Sequence, residues 1–364
     1  MRITALDLRD VRSVAAAALE PGAGLNLIVG PNAAGKTSLL EAIHLLGTGR
    51  SFAATRPTRL IRHDAGPLRV VARVQSDRPH GRLHRLGLER DSSGPAVMRI
   101  DGANVGRVSD LARLLPVVAV HPDSHELVSG GPGERRRLLD QGLFHVEHSY
   151  HDTWQRYRRL LAQRNTLLRM RAARAELGAW EQALAEAGSR IDALRAETVT
   201  ALNALIQRRA PELVGEDAVI ELRYRRGWPE DQTYVEALER AHQRDREHLT
   251  TTVGPHRADL ALRWNGRDSR QRISRGQQKL LVYLLRLAQA EQMGAATGEG
   301  CILLLDDLAA ELDAEHRARV VRSALALGVQ LFVTAIDARA VPTDPAPAVS
   351  MFHVEQGRVE EVIQ

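Results

Sequence analysis

Lysine is nearly absent from this chain. Of its 50 Lys and Arg residues only Lys36 and Lys279 are lysines, as in a genome that favours Arg codons, so each retained lysine is informative. Cysteine is reduced to Cys301, which excludes an intrachain disulfide and leaves nothing to suggest a structural zinc site. Aromatic residues make up 4% of the 364, too few to favour a surface built on base stacking. No apolar run approaches the roughly 18 residues of a bilayer span. The start, Met1-Arg2-Ile3-Thr4-Ala5-Leu6, alternates like a strand and lacks a secretory apolar region. Internal repeats, low-complexity tails and a sustained heptad are also missing, which argues against solenoids and long coiled coils. These absences lead us to expect a protein of the reducing cytoplasm.

What is present is a soluble, globular composition, 44% hydrophobic and 26% charged, able to bury a sizeable core. A formal charge of +5 and a pI near 9.8 admit a polyanionic partner without requiring one. Lys36 lies in Gly30-Pro31-Asn32-Ala33-Ala34-Gly35-Lys36-Thr37, which satisfies the spacing of a P-loop. An apolar strand pattern, Leu25 to Val29, precedes it and a helical one, Thr37 to Ile43, follows. That order aims backbone N–H groups and a positive helix end at phosphate. A compact ammonium reaches between the β- and γ-phosphates where a planar guanidinium does not fit. ATP is therefore the expected cofactor, held by Gly30 to Thr37 and Ser38, with Mg²⁺ on the Thr37 hydroxyl. Ala33 stands where related loops carry glycine; if that position needs a positive φ, alanine costs about 1 kcal/mol there.

Two further motifs complete a nucleotide site. Cys301 to Leu305 is an apolar strand run ending in Asp306 and Asp307, as a buried parallel strand would. Its carboxyl end is where ligands gather in open α/β sheets. Asp306 is expected to hold the Mg²⁺ shell, and Asp307 to orient or deprotonate the attacking water. Ser274-Arg275-Gly276-Gln277 precedes an apolar helix shortly before that strand. In this order the segments resemble those of ABC-type ATPases, with Arg275 where transporters have glycine. The resemblance implies that Ser274, Arg275, Gly276 and Gln277 serve ATP bound to a second subunit, and that Glu311-Leu312-Asp313 forms a D-loop. No histidine stands at the end of the strand Gln330 to Ala335, only Thr334, and no Q-loop glutamine is identifiable. Slow hydrolysis, suited to a switch, follows from both absences.

From Gly133 to about Arg209 the chain is rich in Arg, Ala, Leu and Glu with apolar residues at helical spacing, among them Leu138, Tyr157, Leu168, Trp180, Leu184, Ile191 and Leu194. The expected fold is α/β, an ABC-type P-loop ATPase head (lobe I, 1–120 and 250–364) with an inserted, mainly helical second lobe (lobe II, 121–249). Over nearly its full length the chain resembles the RecF family of bacterial recombination-mediator ATPases. The residues that carry this are Gly30 to Thr37, Leu39 to Leu46, Gly49 to Phe52, Gly131 to Asp140, Gly254 to Leu260, Ser274 to Lys279, and Leu304 to Asp307 with Glu311-Leu312-Asp313. Val11-Arg12-Ser13, Ala33 and Ala310 depart from the family pattern. The resemblance implies a weak, DNA-dependent ATPase that closes as an ATP-dependent homodimer on DNA at single-strand/double-strand junctions. It also implies RecR and RecO as partners, help in loading RecA at gaps, and no membrane. Independently of it, Arg135, Arg136, Arg137, Arg158 and Arg159 are candidates for phosphate contact, with Arg156, Arg164, Arg169, Arg171 and Arg174 nearby. Each is also open to pairing with Glu on a solvated face. His256, Arg257, Arg50 and Arg56 are open to a role near nucleotide or DNA. The alternatives are a transporter-associated subunit and a nuclease-associated SMC- or SbcC-like head. The latter proteins insert hundreds of coiled-coil residues, whereas Ser274 follows Lys36 by only 238 positions.

Overall fold

The computed structural model describes residues 1–362 apart from Thr55, Pro79, His80, Pro345 and Pro347. They form two compact units. The first comprises Met1–His125, Pro211–Glu216 and the chain from Arg275 onward; the second comprises Glu126–Ala210 and Asp217–Ser274.

The first unit is built on two sheets. In the central one the strands lie in the order Arg358–Val362, Val349–Glu355, Leu25–Val29, Gln330–Ala335, Ile302–Leu305, Val117–Val120. All neighbours are parallel except the outer pair. Leu25–Val29, Ile302–Leu305, Gln330–Ala335 and Val117–Val120 are buried at every residue, which explains why they are apolar except at Asn26, Gln330 and Thr334. The register pairs Leu305 with Val333 and Val120, and Ala335 with Val29. The P-loop, Thr334 and Asp306 therefore leave the sheet at one edge.

The second sheet is antiparallel, in the order Val14–Leu19, Arg2–Val11, Leu68–Gln75, Leu83–Arg90, Val97–Ile100, Ala103–Val105. Along Leu68–Gln75 alternate residues are buried, so one face meets the core and the other meets solvent. The helix Lys36–Thr48 is buried at ten of its 13 positions. Its Leu39, Leu40, Ile43 and Leu46 share one apolar cluster with Leu6, Val70 and Leu86 of one sheet and Ile302, Phe332 and Phe352 of the other. Each such side chain contributes about 1.5–3 kcal/mol by leaving water. At Gly47 an added Cβ would lie 2.5 Å from Val117 Cγ2 and 2.7 Å from the Leu115 carbonyl oxygen, so this close approach admits only glycine.

The second unit holds the helices Pro132–Val146, Tyr150–Arg169, Arg174–Val214 and Tyr234–His248, with a three-stranded antiparallel sheet of Arg267–Asp268, Asp259–Trp264 and Ile220–Arg225. Leu184, Ile191 and Leu194 pack with Leu143, Tyr157, Tyr234 and Leu238, as their helical spacing predicts. Trp180 is instead 37% exposed. Arg174–Val214 is one helix of 41 residues, longer than the periodicity suggests, and from Pro211 its residues cluster with the first unit. Thr233 and Glu236 close a reciprocal capping box on the last helix.

The sequence places the return to the ATPase head at 250, whereas residues 217–274 cluster with the helical unit and the return comes at Arg275. The reason is strand pairing. Asp259–Trp264 matches Ile220–Arg225 at all six positions, and a paired strand is inseparable from the sheet that satisfies its backbone.

Candidate functional site

The P-loop takes the shape its glycines permit. Gly35 has φ 118° and Ala33 has φ 61°. Ala33 thus sits in the left-handed region that favours glycine, at a strain of about 1–2 kcal/mol. Lys36 opens the buried helix, and its Nζ donates to the carbonyl oxygens of Gly30 and Pro31, at 2.8 Å each. It is only 8% exposed. Burial lowers its pKa, against the opposing pull of Asp307 and Asp306. Around this loop lies a cleft of about 370 Å³ lined by Arg12, Ser13, Ala33, Gly35, Lys36, Thr37 and Ser38.

Asp306 faces Thr37 across this edge. The Thr37 hydroxyl lies 3.1 Å from both carboxylate oxygens. Asp306 is 4% exposed, and burial raises its pKa, countered by hydrogen bonds from Thr334 and Thr37. Thr334 is fully buried. Its hydroxyl accepts from the Asp307 N–H at 2.7 Å and donates to Asp306 Oδ1 at 2.7 Å. One hydroxyl therefore aligns the backbone and side chain of the acid pair. Asp307 has φ 54° and opens the short helix Leu308–Glu311, a left-handed conformation that Asp tolerates better than most residues.

These groups fit a magnesium nucleotide. Cis ligands of an octahedral Mg²⁺ at 2.0–2.1 Å lie about 2.9 Å apart, close to the 3.1 Å between the Thr37 and Asp306 oxygens. Magnesium uses one or two carboxylates with phosphate and water rather than a full protein cage. The described residues hold no cluster of three or more His, Cys, Asp or Glu suited to a metal.

In the sequence Arg12 stands out only as a departure from the family pattern, yet it lines the cleft. Its guanidinium meets Glu41 at 2.5 Å, and Glu41 is fully buried. Burial raises the Glu41 pKa, which the Ser51 hydroxyl and Arg12 lower in turn. Glu41 also accepts from Ser51 Oγ and Ala53 N, so one buried carboxylate secures both Arg12 and the turn Gly49 to Phe52. Arg50 and Arg56 are exposed.

The second lysine has a different task. Lys279 Nζ meets Glu311 Oε2 at 3.0 Å and the Glu311 carbonyl at 3.2 Å. It ties the helix Arg275–Thr297 to the segment that follows the acid pair. Ser274, Arg275 and Gly276 are exposed at the start of that helix, and Gln277 is half-buried. Cys301 is buried and its thiol is pushed up to about 12 by burial, which leaves it inert.

The arginines of the second unit divide into two groups. Arg135 is 1% exposed, bonded to Asp259 at 2.7 and 3.2 Å and to the Gly130 carbonyl at 2.9 Å. The expectation that it meets phosphate is corrected: its guanidinium is a buried tie to the strand at Asp259. Arg164 is also fully buried, bonded to Glu181, Asp245 and Thr251. Arg136 is half-buried and donates to the Ala258 carbonyl at 2.7 Å. Arg137 is exposed but paired with Glu134. Arg158 and Arg159 are exposed. Helical spacing cannot separate these groups, because the acids that capture Arg135 and Arg164 stand on other elements: Asp259, 124 residues from Arg135, and Glu181 and Asp245, 17 and 81 residues from Arg164. His256 is held by the Tyr157 hydroxyl at 2.6 Å and the Thr251 carbonyl at 3.0 Å. Burial lowers its pKa to about 4, so it stands as a neutral structural residue beside the exposed Arg257.

Comparison with known proteins agrees with this geometry. The family model described as RecF/RecN/SMC N terminal domain matches residues 2–360. The DNA replication and repair protein RecF of Thioalkalivibrio sulfidiphilus is 45% identical, over 98% of this chain and 98% of its own. That of Pseudomonas aeruginosa is 38% identical, over 99% and 98%. A solved structure of the recombination mediator protein RecF with ATP superposes with a TM-score of 0.89 at 26% identity, covering 99% of this chain and 97% of that one. An Smc head bound to the C-terminal winged-helix domain of ScpA gives 0.60 at 15% identity, covering 100% and 97%, a likeness of fold alone.

Proposed function

Since the chain belongs to the RecF family of SMC-type ATPases, we propose that it is an ATP-dependent switch that acts on DNA during replication and repair. The observation that carries this reading is the convergence of Lys36, Thr37, Asp306 and Asp307 at one edge of a parallel sheet, with Thr334 aligning the acid pair. In this reading the amides of Gly30 to Ser38 and the Lys36 ammonium hold the phosphates. Thr37 and Asp306 would hold Mg²⁺, which when bound would supply positive charge against that developing on the transferred phosphoryl group. Asp307 orients the attacking water. Ser274, Arg275, Gly276 and Gln277, three of them exposed, belong to the site of a second copy. ATP would close a homodimer around DNA at a gap or single-strand/double-strand junction, and hydrolysis would reopen it. Without a switch histidine the turnover is slow. The resemblance adds RecR and RecO as partners and RecA loading as the outcome. A cytoplasmic setting is part of this reading; separately, among the described residues no helix is long and apolar enough to cross a membrane.

Two substitutions test the two halves of the site. Lys36→Arg should lower ATP turnover about 10²-fold, the cost of losing one well-placed electrostatic donor, because a planar fork does not reproduce the compact ammonium held by the Gly30 and Pro31 carbonyls. Phosphate release assays read this, and turnover within threefold of wild type would remove Lys36 from its assigned role. Ser274→Arg should leave fluorescent ATP binding intact and abolish ATP-driven dimerisation in sedimentation velocity. Normal dimers of that variant would contradict the placement of Ser274 across the interface. Anisotropy of a labelled gapped duplex, with ATP, ADP or no nucleotide, tests the whole reading. Equal binding in all three states would overturn it.

A further inference from the structure

The antiparallel sheet of the first unit carries arginines that the nucleotide site does not use. On Leu68–Gln75 the buried residues are Leu68, Val70, Ala72 and Val74, which leaves Arg69, Val71 and Arg73 on the open face. The register sets Arg9 directly opposite Arg69, and Arg73 directly opposite Arg85. Like charges directly opposite one another destabilise a sheet, so folding alone gives no reason for two such pairs on one face. Acids on this side cancel only one of these four charges, that of Arg69. Glu89 meets Arg69 at 2.9 Å, His84 engages Asp101 at 2.8 Å, and Asp7 stands opposite Val71. Among the described residues no ion pair engages the guanidinium of Arg9, Arg73 or Arg85.

The shape suits an extended anion. Gly87 lies between Val71 and Arg99 across the strands, and its missing side chain helps to form a depression of about 900 Å³ lined by Arg69, Arg85 and Arg99. Arg69 and Arg73 are four residues apart on one strand, about 13 Å at the rise of an antiparallel strand. This is comparable with the ~12 Å width of a DNA major groove.

We propose that this open sheet face binds the phosphate backbone of duplex DNA, with Arg73 and Arg85 forming one contact and Arg9 and Arg69 the next. The proposal rests on the reading above that the chain acts on DNA, and it assigns a surface to that activity. Guanidinium forks match phosphate oxygens. With no aromatic ring among the residues lining the depression, recognition is of backbone charge and is independent of sequence.

The test is the double variant Arg73→Gln/Arg85→Gln in the full chain, compared with Arg319→Gln/Arg322→Gln, which removes the same charge from the helix Ala314–Leu325. Binding of a labelled gapped duplex in ATP is measured against salt, alongside nucleotide binding and thermal melting. The sheet variant should bind DNA at least about tenfold more weakly and lose about 1–2 units of salt slope, near 0.9 per phosphate contact. Its nucleotide affinity should match wild type and its melting temperature should not fall, since a like-charge pair has gone. The helix variant should bind DNA as wild type does. DNA affinity and salt slope unchanged in the sheet variant, or lowered equally in both variants, overturns the assignment of this face. A wild-type protein that binds no DNA with ATP overturns the underlying reading instead.

Discussion

Asp306→Asn should cut ATP hydrolysis about 10²–10³-fold and at the same time raise the melting temperature at neutral pH. The loss follows from chemistry. A neutral amide is a poor magnesium ligand, and the Thr37 hydroxyl 3.1 Å away cannot replace the carboxylate charge. The gain follows from the direction of the Asp306 pKa, raised first by burial. A carboxyl group that binds its proton more tightly when folded than when unfolded makes stability fall as pH rises through the interval between the two pKa values. At neutral pH its ionised form therefore costs stability, and the amide removes that cost. Thr37 and Thr334 still find an acceptor in the Asn oxygen, so the local hydrogen bonds survive. The advantage of the variant should shrink as pH is lowered and vanish below the ordinary Asp pKa of about 3.9, where the wild-type carboxyl is neutral in both states. Melting curves of both proteins without nucleotide at several pH values, with phosphate release alongside, check this. A variant that melts lower than wild type at neutral pH would mean that the hydrogen bonds and Lys36 outweigh burial at Asp306.

The largest effect on stability should come from a residue remote from the chemistry. Arg164→Ala should destabilise the second unit by about 3–5 kcal/mol, the cost of breaking a buried ion network from one side. Arg164 is fully buried between Glu181 at 2.9 Å and Asp245 at 2.8 Å, and also donates to Thr251 at 2.8 Å. It joins the helices Tyr150–Arg169, Arg174–Val214 and Tyr234–His248 to the turn that leads to His256. Truncation strands Asp245, itself fully buried, without its cation. All four tryptophans, Trp154, Trp180, Trp228 and Trp264, lie in the second unit, so intrinsic fluorescence reports on that unit selectively. At a urea dependence of about 1–3 kcal/mol per molar, the fluorescence midpoint should fall by about 1 M or more. A midpoint within about 0.3 M of wild type would show that Glu181 and Asp245 find other partners.

The P-loop was legible because its chemistry is local: eight consecutive residues, a strand before them and a helix after. Asp306 and Asp307 were legible for the same reason, as the end of an apolar run. Thr334 was visible only as the residue standing where a histidine was sought. Its bonds to Asp306 and Asp307 follow from the parallel register of two strands, and that register pairs Leu305 with Val333. Knowing that the two strands are neighbours would have sufficed to find it. Arg12 and Glu41 meet across 29 positions with no shared pattern, one in the turn between the strands Arg2–Val11 and Val14–Leu19 and one on the face of a buried helix.

The sequence by itself determined the nucleotide chemistry, the α/β class, the inserted helical region and the family, because each is written in short-range spacing or in contiguous motifs. Only the tertiary structure decided which arginines are buried ties and which are exposed. Arg135 and Arg137 are neighbours in one basic run, yet one is buried on Asp259 and the other lies exposed beside Glu134. It also decided that the return to the first unit comes at Arg275, after a strand whose partner lies in the helical region. The physical reason is common to both. Periodicity specifies which face of an element avoids water, whereas the fate of a charge or an unpaired strand depends on groups that only folding brings within hydrogen-bond reach.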